Sequence, residues 1–196
     1  MKTLRKLLVL APVMVMSLTA CEAKIDEAKA AERAKAYNVA EVSTQYKSLD
    51  QKSECKVNKN TGVFADGGML GSVVTLLKTA LNNEEKGIDP AEGIYTAAAF
   101  AELASGASIE GAKTSISYYA YKSTGLKIVG EAKADQNSSG MKMTGSSKAT
   151  MYVLDDGRIE KGSGAVKMKV TGEAAGVKLE GALDLSFTVT YTWNKA

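Results

Sequence analysis

The spacing of apolar positions changes once along the chain, from helical to alternating. Ala23 to Asp50 is rich in Ala, Lys and Glu and lacks Gly and Pro, a helix-forming composition. Val39, Val42, Tyr46 and Leu49 give its second half a seam able to pack, while the first half, mostly Ala and charge, predicts a helical spacer. Gln51 to Gly68, with clustered Lys, Asn and Gly, reads as a connection. Leu70, Val73, Val74, Leu77 and Leu81 predict a second helix ending at Asn82-Asn83. Asp89-Pro90-Ala91-Glu92 supplies an N-cap, a first-position proline and a capping-box acid. It predicts a third helix running to about Ser105, with Gly106 as its stop.

From about Ala112 the period is two. Ile116, Tyr118 and Ala120 share one parity, as do Leu126, Ile128, Gly130 and Ala132. Met141, Met143, Ala149, Met151 and Val153 follow, then Val166, Met168 and Val170. The last run, Val177 to Trp193, would span about 55 Å if straight, at roughly 3.3 Å per residue, so a strong twist or a bulge near Gly181 is expected. Turn signals at Ser123-Thr124-Gly125, Asp135 to Gly140, Asp155-Asp156-Gly157 and Glu173 to Gly176 separate the runs. The expected fold class is therefore α+β: N-terminal helices, then a five-stranded antiparallel meander in the order 1-2-3-4-5, with helices covering its apolar face.

The first 21 residues follow a different logic. Lys2, Arg5 and Lys6 precede an apolar run from Leu7 to Leu18, which ends in Thr19, Ala20 and Cys21. A basic start, an apolar stretch and a small-residue exit form a secretory signal. The competing reading is a transmembrane helix, but the run falls short of the roughly 20 residues a span needs. Leu18-Thr19-Ala20-Cys21 resembles the lipobox of bacterial lipoproteins. That resemblance implies cleavage before Cys21, recognition through Leu18, Thr19 and Ala20, and a lipid on the Cys21 sulfur that tethers the chain to a membrane. Glu22, in place of the Asp that tends to retain such proteins in the inner membrane, implies the outer membrane in a Gram-negative host. The division expected is a signal over 1–20, a lipidated start and helical tether over 21–50, and one α+β domain over 51–196.

Charge and composition narrow the function. Lys and Arg number 25 against 22 acids. Losing Lys2, Arg5 and Lys6 with the signal leaves the mature chain balanced, so the basic balance belongs to the precursor and gives no reason to expect a nucleic-acid partner. The chain has no histidine, which removes the commonest general base and metal ligand. With Cys21 lipidated, Cys55 has no partner within the chain.

Candidate chemistry is sparse. Asp135, Asn137, Ser139 and Gly140 match half a calcium loop, but Ser146 stands where a bidentate Glu is required. Ser53 with Lys56, or Ser146 with Lys148, has the composition of a Ser–Lys pair without the strand-to-helix elbow that would expose a nucleophile. Tyr119, Tyr121 and Tyr152 fall on the polar parity, as a sticky patch or as cross-strand aromatic pairs. Met141, Met143, Met151 and Met168 lie on the apolar parity, as adaptable lining or as core filler. No cofactor, metal or catalytic residue is expected. The reading is a membrane-anchored envelope lipoprotein, not an enzyme, acting as a binding or interaction module. The alternative is a carrier of lipid or another apolar ligand in a curved-sheet cavity.

Overall fold

The computed structural model describes residues 23–35, 39–96, 112–138, 140–174 and 176–196. One antiparallel sheet of eight strands dominates them. In chain order the elements are β1 (Lys24–Ile25), α1 (Glu27–Lys35), α2 (Val39–Gln45), β2 (Tyr46–Gly62), α3 (Gly71–Leu81), β3 (Asn83–Ile88), β4 (Ala112–Tyr121), β5 (Gly125–Ser138), β6 (Met141–Val153), β7 (Ile159–Ala174) and β8 (Val177–Lys195). The strand order is β1-β4-β5-β6-β7-β8-β2-β3.

This overturns the expected α+β architecture of helices followed by a five-stranded meander. The meander exists, β4 to β8 in the expected order, but three further strands come from residues that read as helix or connection. The largest is β2. Its core-facing parity carries Leu49, Gln51, Ser53, Cys55 and Val57, too dilute an apolar set to announce a strand. What stabilises it lies at the far end of the chain: β2 pairs with β8 from Tyr46↔Lys195 to Gly62↔Gly181. β3 is short and charged (Glu84, Glu85, Lys86), as befits an edge strand that must not recruit another chain.

The N-terminal stretch also differs from a long spacer. Lys24 and Ile25 add to the β4 edge opposite Tyr119 and Tyr118. The helix that follows lies on the sheet, with Ala30 fully buried. The seam was legible in part: Val42, Tyr46 and Leu49 are all buried, although Tyr46 already begins a strand. The second predicted helix is α3, ending at Asn82 as read. The third is only a 3-10 turn over Pro90–Gly93. Asp89 accepts the Ala91 N–H at 2.9 Å, as the capping pattern required. The chain then extends at Ile94 to bridge Arg158, and Gly93 lies so close to the core that a Cβ there would come within 2.3 Å of Leu49. The remainder of that predicted helix, including Gly106, lies outside the described residues.

Three apolar clusters occupy one face of the sheet. Under α3, Phe64, Val74 and Leu81 meet Leu183, Leu185 and Phe187. Under α1, Ala30 meets Tyr118, Leu126, Ile128 and Val153. Val42, Tyr46 and Ile94 close a third around Trp193. Each large side chain so buried contributes about 1.5–3 kcal/mol. Every member lies between Ile25 and Trp193, so residues 23–196 contain the whole described core.

The expected bulge near Gly181 is absent. β7 and β8 pair without a break from Lys161↔Thr190 to Ala174↔Val177, and the irregularities sit in β2, at Tyr46/Ser48 and Val57/Lys59. Gly62 reverses the chain at φ +59°, where a Cβ would fall 1.8 Å from the Glu180 carbonyl oxygen. Gly87 has a similar φ of +68° but open space around it. Gly87→Ala is therefore expected to cost about 1 kcal/mol for the left-handed backbone alone. Gly62→Ala should cost clearly more, because backbone must also move. Urea denaturation midpoints check this; equal losses would rule out the Glu180 contact as a constraint.

Candidate functional site

Alternation sends most of the Lys, Thr and Ser side chains of β4 to β8 to the face opposite the three clusters, Thr114 and Ser147 being exceptions. Register then sorts them into cross-strand sets. At the end where the chain arrives from residue 23, Tyr119, Lys127, Tyr152 and Lys161 stand side by side on β4, β5, β6 and β7. Lys127 lies 5.4 Å from the Tyr119 ring centre and 5.5 Å from that of Tyr152, and Lys161 lies 4.9 Å from Tyr152. Tyr121 meets Tyr152 edge-on at 4.8 Å and donates its hydroxyl to Glu160 at 2.6 Å. The tyrosines are thus cross-strand partners on the polar face, each ammonium lying over a ring.

Glu160 also accepts from Lys122 at 3.1 Å. Burial alone would raise its pKa, but the Tyr121 and Lys122 hydrogen bonds outweigh it and hold the carboxyl below its usual value. Further along the face Lys148 donates to Glu131 at 2.5 Å, and this bond lowers the Glu131 carboxyl.

Toward the other end the pairing runs out. Lys113, Lys133, Ser146 and Lys167 occupy successive positions across β4, β5, β6 and β7. Asp135, Thr144 and Lys169 form the neighbouring set. Together they line an open groove of about 570 Å³, with the backbone at Ala134, Gly145 and Met168 between the two sets. Two of the charges are compensated: Lys167 meets Asp184 at 3.1 Å and Asp135 meets Lys142 at 3.5 Å. Burial acts to raise Asp184, but Asn58 and Lys167 outweigh it and hold the carboxyl low. Lys113 and Lys133 stand directly opposite one another, and among the described residues no acid lies within ion-pairing distance of Lys113, Lys133 or Lys169. Like charges directly opposite destabilise a sheet.

The remaining candidates from the sequence do not converge on a second site. Leu18, Thr19, Ala20, Cys21 and Glu22 lie outside the described residues. Met141, Met143 and Met168 pack against the α3 cluster and Met151 against the α1 cluster, all on the apolar face and all half-buried. Cys55 is half-buried on that face too, and burial pushes its thiol up, away from reactivity. Asp135 and Asn137 lie on the extended β5 instead of in a calcium loop. Among the described residues no group of three or more His, Cys, Asp or Glu could hold a metal ion. Ser53 is buried on the apolar face while Lys56 is exposed on the other, so that pair never meets. Lys148 is engaged by Glu131 and not by Ser146.

Asp155-Asp156-Gly157 is the turn it resembled. Asp156 holds Arg158 through its backbone N–H at 3.2 Å and its Nε at 2.7 Å, with the guanidinium 4.5 Å from the Tyr46 ring centre. Sequence reading missed both this Arg158 clasp and the lysine groove. Parity alone put Lys133, Ser146, Lys167 and Lys169 on the polar face. Only the hairpin registers could have aligned them.

Comparison with family models, with curated proteins and with solved structures finds no match.

Lys113→Gln is expected to raise stability by a few tenths of a kcal/mol at low salt, a gain that vanishes near 0.5 M salt as screening shortens to a few ångströms. Urea midpoints at the two ionic strengths test it. A loss of stability at low salt would mean that Lys113 has a stabilising partner.

The lowered carboxyls of Glu131, Glu160 and Asp184 fix the sign of the acid response. Their stabilisation is complete above the ordinary range of about 3.9–4.3 and is lost as pH falls through the lowered folded values. With no histidine, no side chain with an ordinary pKa titrates between about pH 5 and 8. Stability is expected to be flat from pH 6 to 8 and to fall below about pH 4.5. A denaturation midpoint that slopes between pH 6 and 8 would contradict this.

Proposed function

We propose that the protein is a lipid-anchored envelope lipoprotein, tethered through Cys21, whose domain is a non-catalytic binding module that works through the polar face of its sheet. The observation that carries the binding half is the groove in which Lys113, Lys133 and Lys169 have no ion-pair partner among the described residues, beside Ser146 and Thr144. The groove's lysines outnumber its lining acid, Asp135, and with the hydroxyls beside them they suit an anionic partner. Other polar-face charges are engaged in pairs such as Glu131–Lys148 and Glu160–Lys122, which supports binding over catalysis.

The tether rests on Leu18-Thr19-Ala20-Cys21, and one further feature supports it. The Ala23 carbonyl accepts the Ala120 N–H at 2.9 Å, so a lipid on Cys21 would hold the sheet close to the membrane. With Glu22 next to Cys21, the outer membrane is the proposed address in a host that has one. The carrier alternative draws less support, since the four methionines are shared between two packed clusters.

Expression of the full chain in a bacterium with a labelled fatty acid tests the tether. The wild type is expected to take up label and to stay with the membrane fraction through a high-salt wash. Cys21→Ala should lose the label, with the fold unchanged because the described core begins at Ile25. Label retained on Cys21→Ala would refute acylation at that residue.

A further inference from the structure

We propose that the anionic partner of the polar face is the phosphate surface of a membrane, with headgroup phosphates seated in the groove of Lys113, Lys133, Ser146, Lys167 and Lys169. The inference deepens the binding half of the reading above and does not need the lipid on Cys21.

Three features point to a surface of phosphates. The groove is open along the sheet, so it suits a ligand that stays in contact with water and not one that must be enclosed. Its cations are all lysines on long stems, Lys113 and Lys133 on neighbouring strands about 4.8 Å apart and Lys167 and Lys169 on β7 beyond Ser146 and Thr144, so several can reach separate phosphates at once. Each lysine near an anionic leaflet adds about fivefold to binding. The third feature is the Tyr119–Lys127–Tyr152–Lys161 set on the same face, six residues along β5 from Lys133, or about 20 Å. Tyrosine and lysine together are what a membrane–water interface favours, the ring at headgroup level and the ammonium toward phosphate.

The face is therefore basic at one end and amphipathic at the other. The amphipathic end is the one where the chain enters from residue 23 at Tyr119 and Ala120. A domain lying with this face on the leaflet relieves the Lys113–Lys133 repulsion by placing an anion between them.

The test uses residues 22–196, which contain the whole described core, in sedimentation with vesicles of phosphatidylcholine alone or with 30% phosphatidylglycerol, at roughly 50 and 500 mM salt. Binding is expected to the anionic vesicles at low salt and to fall steeply at high salt. Lys113→Gln/Lys133→Gln should weaken it roughly 25-fold. Lys29→Gln/Lys78→Gln, the same charge change on the helices of the opposite face, should leave it within about twofold. Circular dichroism confirms that both variants are folded.

Equal binding to neutral vesicles, equal loss in the two variants, or no binding to anionic vesicles each overturns the proposal. A titration with inorganic phosphate separates the sources: displacement from vesicles by low-millimolar phosphate would assign the groove to a free anion and overturn the membrane assignment. Failure here with Cys21 labelling intact would leave the tether standing, and vesicle binding without labelling would leave the surface standing.

Discussion

The pairing of β2 with β8 is the contact on which the rest of this structure depends. It joins the first long strand of the chain to the last, over Tyr46 to Gly62 and Gly181 to Lys195. Without it β8 would be an exposed edge 19 residues long, the kind of edge that recruits foreign strands. With it, β8 is covered by β2, and the short, charged β3 covers β2 over Leu49 to Ser53. The same pairing delivers Phe64 and α3 to Leu183, Leu185 and Phe187, and it delivers α2 to Trp193. The cover of the apolar face is thus a consequence of a strand pairing, made at the cost of closing a loop of more than a hundred residues.

A sheet with one apolar face needs covering on that face alone, and this divides the labour between its two sides. Near one end of the apolar face, Asp156 orients Arg158 over Tyr46, and the Trp193 indole N–H donates to the Ile159 carbonyl at 3.0 Å. The β6–β7 turn is thereby fastened to the beginning of β2 and the end of β8. The polar face takes no part in that closure. Its side chains are set mainly by register, though Val129 is buried among them.

What could be read in the sequence follows the range of the forces involved. Strands β4 to β8 and helix α3 show in the alternation and in helical spacing because each element announces its own buried face. The N-cap at Asp89 was legible because capping is local, yet among the described residues it introduces a single 3-10 turn, ending where Gly93 lies close to Leu49 and Trp193. β2 was illegible because Gln51 and Ser53 dilute its apolar parity and its partner lies over a hundred residues away. α1 read as a spacer because its packing residue is Ala30, which in isolation signals only helix propensity. The groove sits at the same limit. Residue type and parity were visible, but the row Lys113–Lys133–Ser146–Lys167 exists only once three hairpin registers are fixed.

The two ends of the polar face solve the same electrostatic problem differently, and the contrast is what gives the groove its meaning. Every lysine there must be held on a shared surface. At the Tyr119–Tyr152 end each ammonium has an aromatic face, and Lys122 has Glu160 as well, so the charges are satisfied within the chain. In the middle Lys148 has Glu131. At the Lys113–Lys133 end, replacing either residue with a neutral one would remove the repulsion without disturbing a single core contact, since both side chains are exposed. A purely structural sheet has no reason to keep two ammonium groups opposite each other. The headgroup phosphate proposed above would supply that counter-charge on the face opposite the three apolar clusters.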